Sequence, residues 1–129
     1  METILLVEDS KFLRIATERA LTKAGYQVIS AGDGEEALTQ AAAKLPNLIV
    51  LDMLLPKLSG PEVLQKLKAS AATTHIPVLV LSSLSQKNEE KLLHDGATAF
   101  LEKGPLLDNP SLLLKAIKTA LTKKVASAL

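Results

Sequence analysis

Five short apolar runs punctuate the chain, and four of them end on or beside side chains that can do chemistry. Thr3–Val7 (TILLV) runs into Glu8-Asp9, residues 48–51 (LIVL) into Asp52, residues 78–81 (VLVL) into Ser82-Ser83, and residues 99–101 (AFL) into Glu102-Lys103. The fifth, Gln27–Ala31 (QVISA), ends in the turn Gly32-Asp33-Gly34. Short continuous runs of this kind suit strands covered on both faces, as in a parallel sheet. The segments between them carry helical spacing. Ser10 is a good N-cap, Leu13, Ala16, Ala20, Leu21 and Ala24 share one face, and Gly25 supplies a stop. Residues 35–44 are Ala-rich and closed by Pro46. Pro61 suits a first helical position, with Val63, Leu64 and Leu67 turned inward, and residues 70–75 read as a loop. Residues 86–95 read as a polar helix with Leu92 and Leu93 inward and Gly96 as its stop. Gly104-Pro105 breaks the chain. Pro110 opens a last helix, to about residue 124, on which Leu113, Leu114, Ile117, Ala120 and Leu121 are the apolar positions.

Strands alternating with helices predict an α/β fold: a five-stranded parallel sheet with helices on both faces and right-handed crossovers. The small doubly wound, flavodoxin-like order 2-1-3-4-5 fits best and sets the first and third strands side by side at the switch point. Glu8, Asp9 and Asp52 would then meet in one crevice at the carboxyl end of the sheet, flanked by Ser82 and Lys103.

Composition narrows the picture without redirecting it. One domain is the expectation for 129 residues, and with 47% hydrophobic but only 2% aromatic residues its core must be aliphatic. A net charge of +1 gives no bulk reason for nucleic-acid or membrane binding. The absence of cysteine excludes disulfides and thiolate chemistry. Met1-Glu2 opens without a basic n-region or an apolar h-region, and no run approaches the ~20 apolar residues of a membrane helix, so a cytoplasmic protein without membrane insertion is expected.

Three neighbouring carboxylates raise one another's pKa and call for a counter-charge. A hard divalent cation supplies it, and Mg²⁺ typically takes one or two carboxylates, with waters and phosphate oxygens completing its shell. A hydroxyl at Ser82 and a compact ammonium at Lys103 complete the parts of a phosphoryl-transfer site. Asp52, alone at its strand end, is the candidate nucleophile, since a carboxylate attacking phosphorus gives an acyl phosphate. Each residue taken singly has a plainer reading. Glu8 and Asp9 suit a helix N-terminus, Ser82 a strand end, Lys103 a surface charge and Phe100 the core. Gly32-Asp33-Gly34 matches no phosphate-loop pattern, and His75 and His94 lack metal-ligand spacing and are expected at the surface.

The ordered set resembles the receiver domain of bacterial two-component response regulators, in its single-domain, chemotaxis-regulator-like form. It comprises Glu8-Asp9, Asp52, Pro56 and Gly60, Pro77 ahead of a strand ending in Ser82-Ser83, and Gly96-Ala97…Phe100…Lys103. The resemblance spans residues 3–121 and implies a receiver domain over 1–124 with a tail over 125–129. It implies that Asp52 accepts a phosphoryl group from a phosphohistidine on a sensor histidine kinase or histidine phosphotransfer protein. Mg²⁺ would be held by Glu8, Asp9, Asp52 and the Met53 backbone carbonyl. Ser82, Lys103 and the Ser83 backbone would contact phosphate, with Ser82 and Phe100 acting as the switch. The module would be a signalling phosphoacceptor rather than a classical enzyme. It would be a monomer or a phosphorylation-dependent dimer, passing its state to a downstream protein through the 86–95 helix, the fifth strand and the last helix.

Two positions depart from the family pattern. Ser82 stands where Thr is common, and Gly104 stands where Pro usually follows the lysine. A non-proline cis bond costs ~3 kcal/mol, so the Lys103–Gly104 bond is expected to be trans. Two other function classes compete. One is a receiver-like module that binds partners without phosphorylation. The other is an aspartate-nucleophile phosphatase of the haloacid-dehalogenase type, which needs a second acid two residues beyond the first. Leu54 occupies that place and cannot move a proton. No output domain fits after Leu121, which leaves a stand-alone regulator or one domain of a longer chain.

Overall fold

The computed structural model describes residues 2–82, 94–103 and 109–128, with side chains through Thr122. In chain order these form β1 Thr3–Val7, α1 Lys11–Lys23, β2 Gln27–Ala31, α2 Gly34–Lys44, β3 Leu48–Asp52, α3 Gly60–Ala69, β4 Val78–Ser82, β5 Ala99–Glu102 and α4 Ser111–Ala128. All neighbouring strands pair in parallel, in the order β2-β1-β3-β4-β5. The helix expected over 86–95 falls largely outside the described residues. The Gly96 expected to stop it has φ 111°, a left-handed conformation that glycine adopts without penalty.

The two-residue period of the strands divides the core into two layers. Leu5, Val7, Ile49, Leu51, Val78 and Val80 point to one face, where Ala37 and Ala41 of α2 and Val63, Leu64 and Leu67 of α3 cover them. Ile4, Leu6, Leu48, Val50, Leu79 and Leu81 point to the other, against Leu21 of α1 and Leu113, Ile117, Ala120 and Leu121 of α4. β3 and β4 are buried along their whole length, as their unbroken apolar runs require.

The helix ends follow local chemistry. Ser10 caps α1, its Oγ accepting from Leu13 N at 3.3 Å, and Ser59 caps α3 with Pro61 in the first turn. Asp33 caps α2, accepting from Glu36 N at 2.8 Å, so that helix starts one residue before the expected 35. It closes on Leu45 in a left-handed conformation (φ 46°, ψ 62°), and Pro46 follows. The expected inner face of α1 needs correction. Leu21 is buried and Leu13, Thr17 and Ala20 are half-buried, whereas Ala16 and Ala24 are exposed. Alanine loses little by exposure, so it marks a buried face poorly. α4 begins just after Pro110, as expected, and runs past 124 to Ala128.

Candidate functional site

The same two-residue period that splits the core also composes the site. Glu8 continues the side of β1 that carries Ile4 and Leu6, Asp52 the side of β3 that carries Leu48 and Val50, and Lys103 the side of β5 that carries Ala99 and Leu101. All three therefore lie toward the α1/α4 layer at the carboxyl end of the sheet. Parallel pairing of Val7 with Leu51 sets Glu8 beside Asp52. β1 and β3 are the strands at which the sheet order reverses, the place where open α/β sheets bind ligands.

Glu8 and Asp52 are buried, at 4% and 3% exposure. The Lys103 ammonium joins them, with Nζ 2.6 Å from Glu8 Oε1 and 2.7 Å from Asp52 Oδ2. The second oxygen of each acid meets a backbone donor. Ser10 N donates to Glu8 Oε2 at 3.2 Å, and Leu54 N donates to Asp52 Oδ1 at 3.2 Å. The exposed carboxylate of Asp9 completes a cluster in which one oxygen from each acid lies within 4.8 Å of the others. Burial, and secondarily the Asp52 charge, raise the Glu8 carboxyl above its ordinary value, against the pull of Lys103 and the Ser10 amide. Burial alone would lower Lys103. The hydrogen bonds and charges of Asp52 and Glu8 outweigh it and raise the ammonium above its ordinary value. Among the described residues, Lys103 bridges two of the three acids, Glu8 and Asp52.

Hydrogen bonds to backbone groups hold both acid-bearing loops. Glu8 N donates to Ala31 O at 3.0 Å, and Arg14 Nη1 donates to Glu8 O at 2.8 Å. Met53 N donates to Leu81 O and Met53 O accepts from Gly60 N, both at 3.0 Å. Gly60 admits no side chain: a Cβ there would lie 2.4 Å from Met53 Cα and 2.7 Å from Asp52 O. The donors that the structure brings together are the three carboxylates. This all-oxygen, net-negative set fits Mg²⁺.

Ser82 is buried at the end of β4, paired in register with Glu102. It lies on the opposite side of the sheet from Asp52, the side that carries Val78 and Val80. Phe100 pairs with Val80 and packs, half-buried, against that same layer. Ser83 and the Lys103–Gly104 bond lie outside the described residues. His75 and His94 are exposed, as expected. The sequence reading missed the Leu54 amide on Asp52 and the Arg14 guanidinium on the Glu8 carbonyl. Backbone donors leave no residue-type signal. Arg14 could have been suspected from its place on the sheet-facing side of α1, beside Leu13, Thr17 and Leu21.

Residues 4–124 match the response regulator receiver domain model. The chain belongs to the response regulator receiver family. Its receiver core is 45% identical over 105 residues to a gliding motility regulatory protein of Myxococcus xanthus, covering 80% of this chain and 13% of that one. It is 39% identical over 101 residues to the alkaline phosphatase synthesis transcriptional regulatory protein PhoP of Bacillus subtilis, covering 78% of this chain and 41% of that one. The chain thus spans less than half the length of these curated relatives. Among solved structures, a receiver domain protein of Methanospirillum hungatei superposes with a TM-score of 0.89 at 26% identity, covering 98% of each chain. This receiver is therefore of the two-component class, and among its described residues no helix is long and apolar enough to cross a membrane.

Proposed function

We propose that this receiver takes a phosphoryl group on Asp52 from a phosphohistidine and thereby switches the binding of a partner protein. The observation that carries this is the buried Glu8–Lys103–Asp52 bridge at the β1/β3 switch point, beside an exposed third acid. An Asp52 carboxylate oxygen attacks phosphorus. The new O–P bond replaces the N–P bond of the donor, whose imidazole nitrogen leaves with the electron pair and gains a proton. Lys103, hydrogen-bonded to the Asp52 carboxylate, would reach an oxygen of a group bound there, and the Leu54 N–H holds the carboxylate in one orientation. Glu8, Asp9, Asp52 and the Met53 carbonyl would hold Mg²⁺, which when bound neutralises charge on the transferring group. A sensor histidine kinase or a histidine phosphotransfer protein would be the donor, and residues 1–124 would form the functional unit. Incubation with Mg²⁺ and acetyl phosphate should add the ~80 Da of one phosphoryl group to the wild-type chain and nothing to Asp52→Asn, read by intact mass. Equal labelling of the two would overturn the assignment.

Ser82 and Phe100 are the proposed switch. They face one layer, a single strand pairing apart, so an inward move of the Ser82 hydroxyl would open room for the Phe100 ring. The output surface on this reading is the 86–95 segment, β5 and α4, of which β5 carries Phe100 itself. Amide shifts on adding Mg²⁺ and a phosphoryl mimic should concentrate there. Shifts confined to α1 would refute it.

A further inference from the structure

The turn Gly32-Asp33-Gly34 connects β2 to α2 and carries no ligand chemistry, yet it touches both acid-bearing loops. On one side, Ala31 O, the last carbonyl of β2, accepts from Glu8 N at 3.0 Å. The Arg14 guanidinium, whose Nη1 holds the Glu8 carbonyl at 2.8 Å, also lies over Gly32, where a Cβ would stand 3.3 Å from Nη1. On the other side sits the loop that follows Asp52. Leu58 N donates to Pro56 O at 2.8 Å across Lys57, whose φ is 69°. That is a γ-turn of the positive-φ kind, the rarer and strained of the two. Its apex is seated on the start of α2. Gly34 N donates to Pro56 O at 3.4 Å, and Lys57 Nζ lies 3.5 Å from Asp33 Oδ2. Gly34 is in contact with Leu58: an added Cβ would lie 2.6 Å from both Leu58 Cβ and Leu58 O, and 2.9 Å from Val63 Cγ2.

We infer that this turn is a brace that fixes the distance between the Glu8-Asp9 loop and the Asp52-Met53 loop, which makes Gly34 and Arg14 positioning residues for the metal cluster. Neither belongs to the cluster of acids. Gly34 works by its missing side chain. Any Cβ there must push the Leu58 backbone away, and the displacement passes along the 53–60 loop, which is clamped at its other end by Gly60 on Met53. Arg14 works by fixing the carbonyl between the two residues that carry Glu8 and Asp9 side chains. Residues that orient metal ligands rather than bind the ion are generally worth a sizeable factor in affinity.

The inference rests on the reading of the cluster as a Mg²⁺ site, and the test keeps the two apart. Mg²⁺ affinity is measured by calorimetry on wild type, on Asp9→Ala, on Gly34→Ala and Arg14→Met, and on Gly25→Ala. Gly25 has φ 100° and nothing within 4 Å of an added Cβ, so its substitution strains the backbone away from both loops. Gly34→Ala should weaken binding about tenfold, while Gly25→Ala leaves affinity unchanged. Arg14→Met gives opposite signs for the two possible roles. Removing a positive charge beside the cluster would tighten Mg²⁺ if Arg14 acted by charge alone, and loss of positioning weakens it. In metal-free protein, the Leu54 and Gly60 amide resonances should move in Gly34→Ala and stay in place in Gly25→Ala. If Gly34→Ala does not fold, Arg14→Met carries the decision. Wild-type affinity in the variants that fold, or tighter binding in Arg14→Met, overturns the brace. A wild-type chain that binds no Mg²⁺ overturns the metal reading instead, and the metal-free resonances then decide whether the turn braces the loops.

Discussion

Lys103→Met tests the charge balance of the site directly. The ammonium lies 2.6 Å from Glu8 Oε1 and 2.7 Å from Asp52 Oδ2, and both acids are almost wholly buried. Methionine keeps the volume and removes the charge, which leaves two facing carboxylates that retain the Ser10 and Leu54 amides as donors. Breaking a buried ion pair by deleting one partner costs about 3 kcal/mol or more. For a chain of this size that corresponds to a fall in Tm of roughly 10 °C. The pH dependence follows from the two shifts. Lys103 is raised in the folded state, so the stability it contributes is complete below its ordinary value of 10.5 and is lost only as pH rises through the raised value. Glu8 is also raised, but as an acid it disfavours folding once ionised, so its penalty grows as pH rises from its ordinary 4.5 through the raised value. Without Lys103 that rise is larger. The variant should therefore recover stability on mild acidification, where Glu8 takes up a proton, and on adding Mg²⁺, which replaces the missing charge. Urea unfolding followed by far-ultraviolet circular dichroism, in chelator at neutral pH, in chelator at mildly acidic pH, and in Mg²⁺, reads all three arms. A variant as stable as wild type in chelator at neutral pH would show that the bridge contributes nothing net. A deficit that ignores both acid and Mg²⁺ would show that it arises from packing rather than charge.

Two further outcomes are expected. Leu54 is 56% exposed, its amide rests on Asp52, and it offers no hydrogen bond to an attacking water, so the acyl phosphate should be long-lived. Replacing Leu54 with Asn and Leu84, which stands two residues beyond Ser82 in the sequence and outside the described residues, with Glu should speed its decay, followed by an acid-labile label, and an equal or slower decay would refute that account. Leu45, 54% exposed with φ 46°, places a branched side chain in a left-handed cap; Leu45→Gly should raise stability by about 1 kcal/mol in urea unfolding, and no gain would mean that the leucine's contacts offset its strain.

The strands were legible because burial on both faces writes an unbroken apolar run into the sequence, and such a run has a definite end. Those ends placed Glu8, Asp52, Ser82 and Lys103 before any pairing was known. The helices were less legible where the signal is weak. The inner face of α1 is marked by Leu13, Thr17 and Leu21, and exposed Ala16 and Ala24 mimic it because alanine is tolerated on either side. The contacts that position the acids were illegible. The Ser10 and Leu54 amides are backbone groups, which every residue type carries. Gly34 reads as an ordinary turn glycine until Leu58 is found against it.

The parity of the strands carries one more consequence. Glu8, Asp52 and Lys103 lie toward α1 and α4, while Ser82 and Phe100 lie toward the other layer, with β4 buried between neighbours. Side chains in the middle of β4 cannot pass from one layer to the other, because the sheet backbone separates them. A hydroxyl from the second layer can approach a group on Asp52 only over the carboxyl end of the sheet. Asp52 pairs with Leu81, so Ser82 is the next residue along β4 and the last one in the strand. The proposed switch therefore requires a short polar side chain at that one position: one residue earlier faces the wrong layer and is held in the ladder. Serine meets the requirement with a hydroxyl and no β-branch, which leaves it more rotameric freedom than threonine would have. Ser82→Ala separates transfer from signalling on this account. Asp52 keeps its nucleophile, Lys103 and its acid neighbours, while the layer holding Phe100 loses its connection to the phosphoryl group.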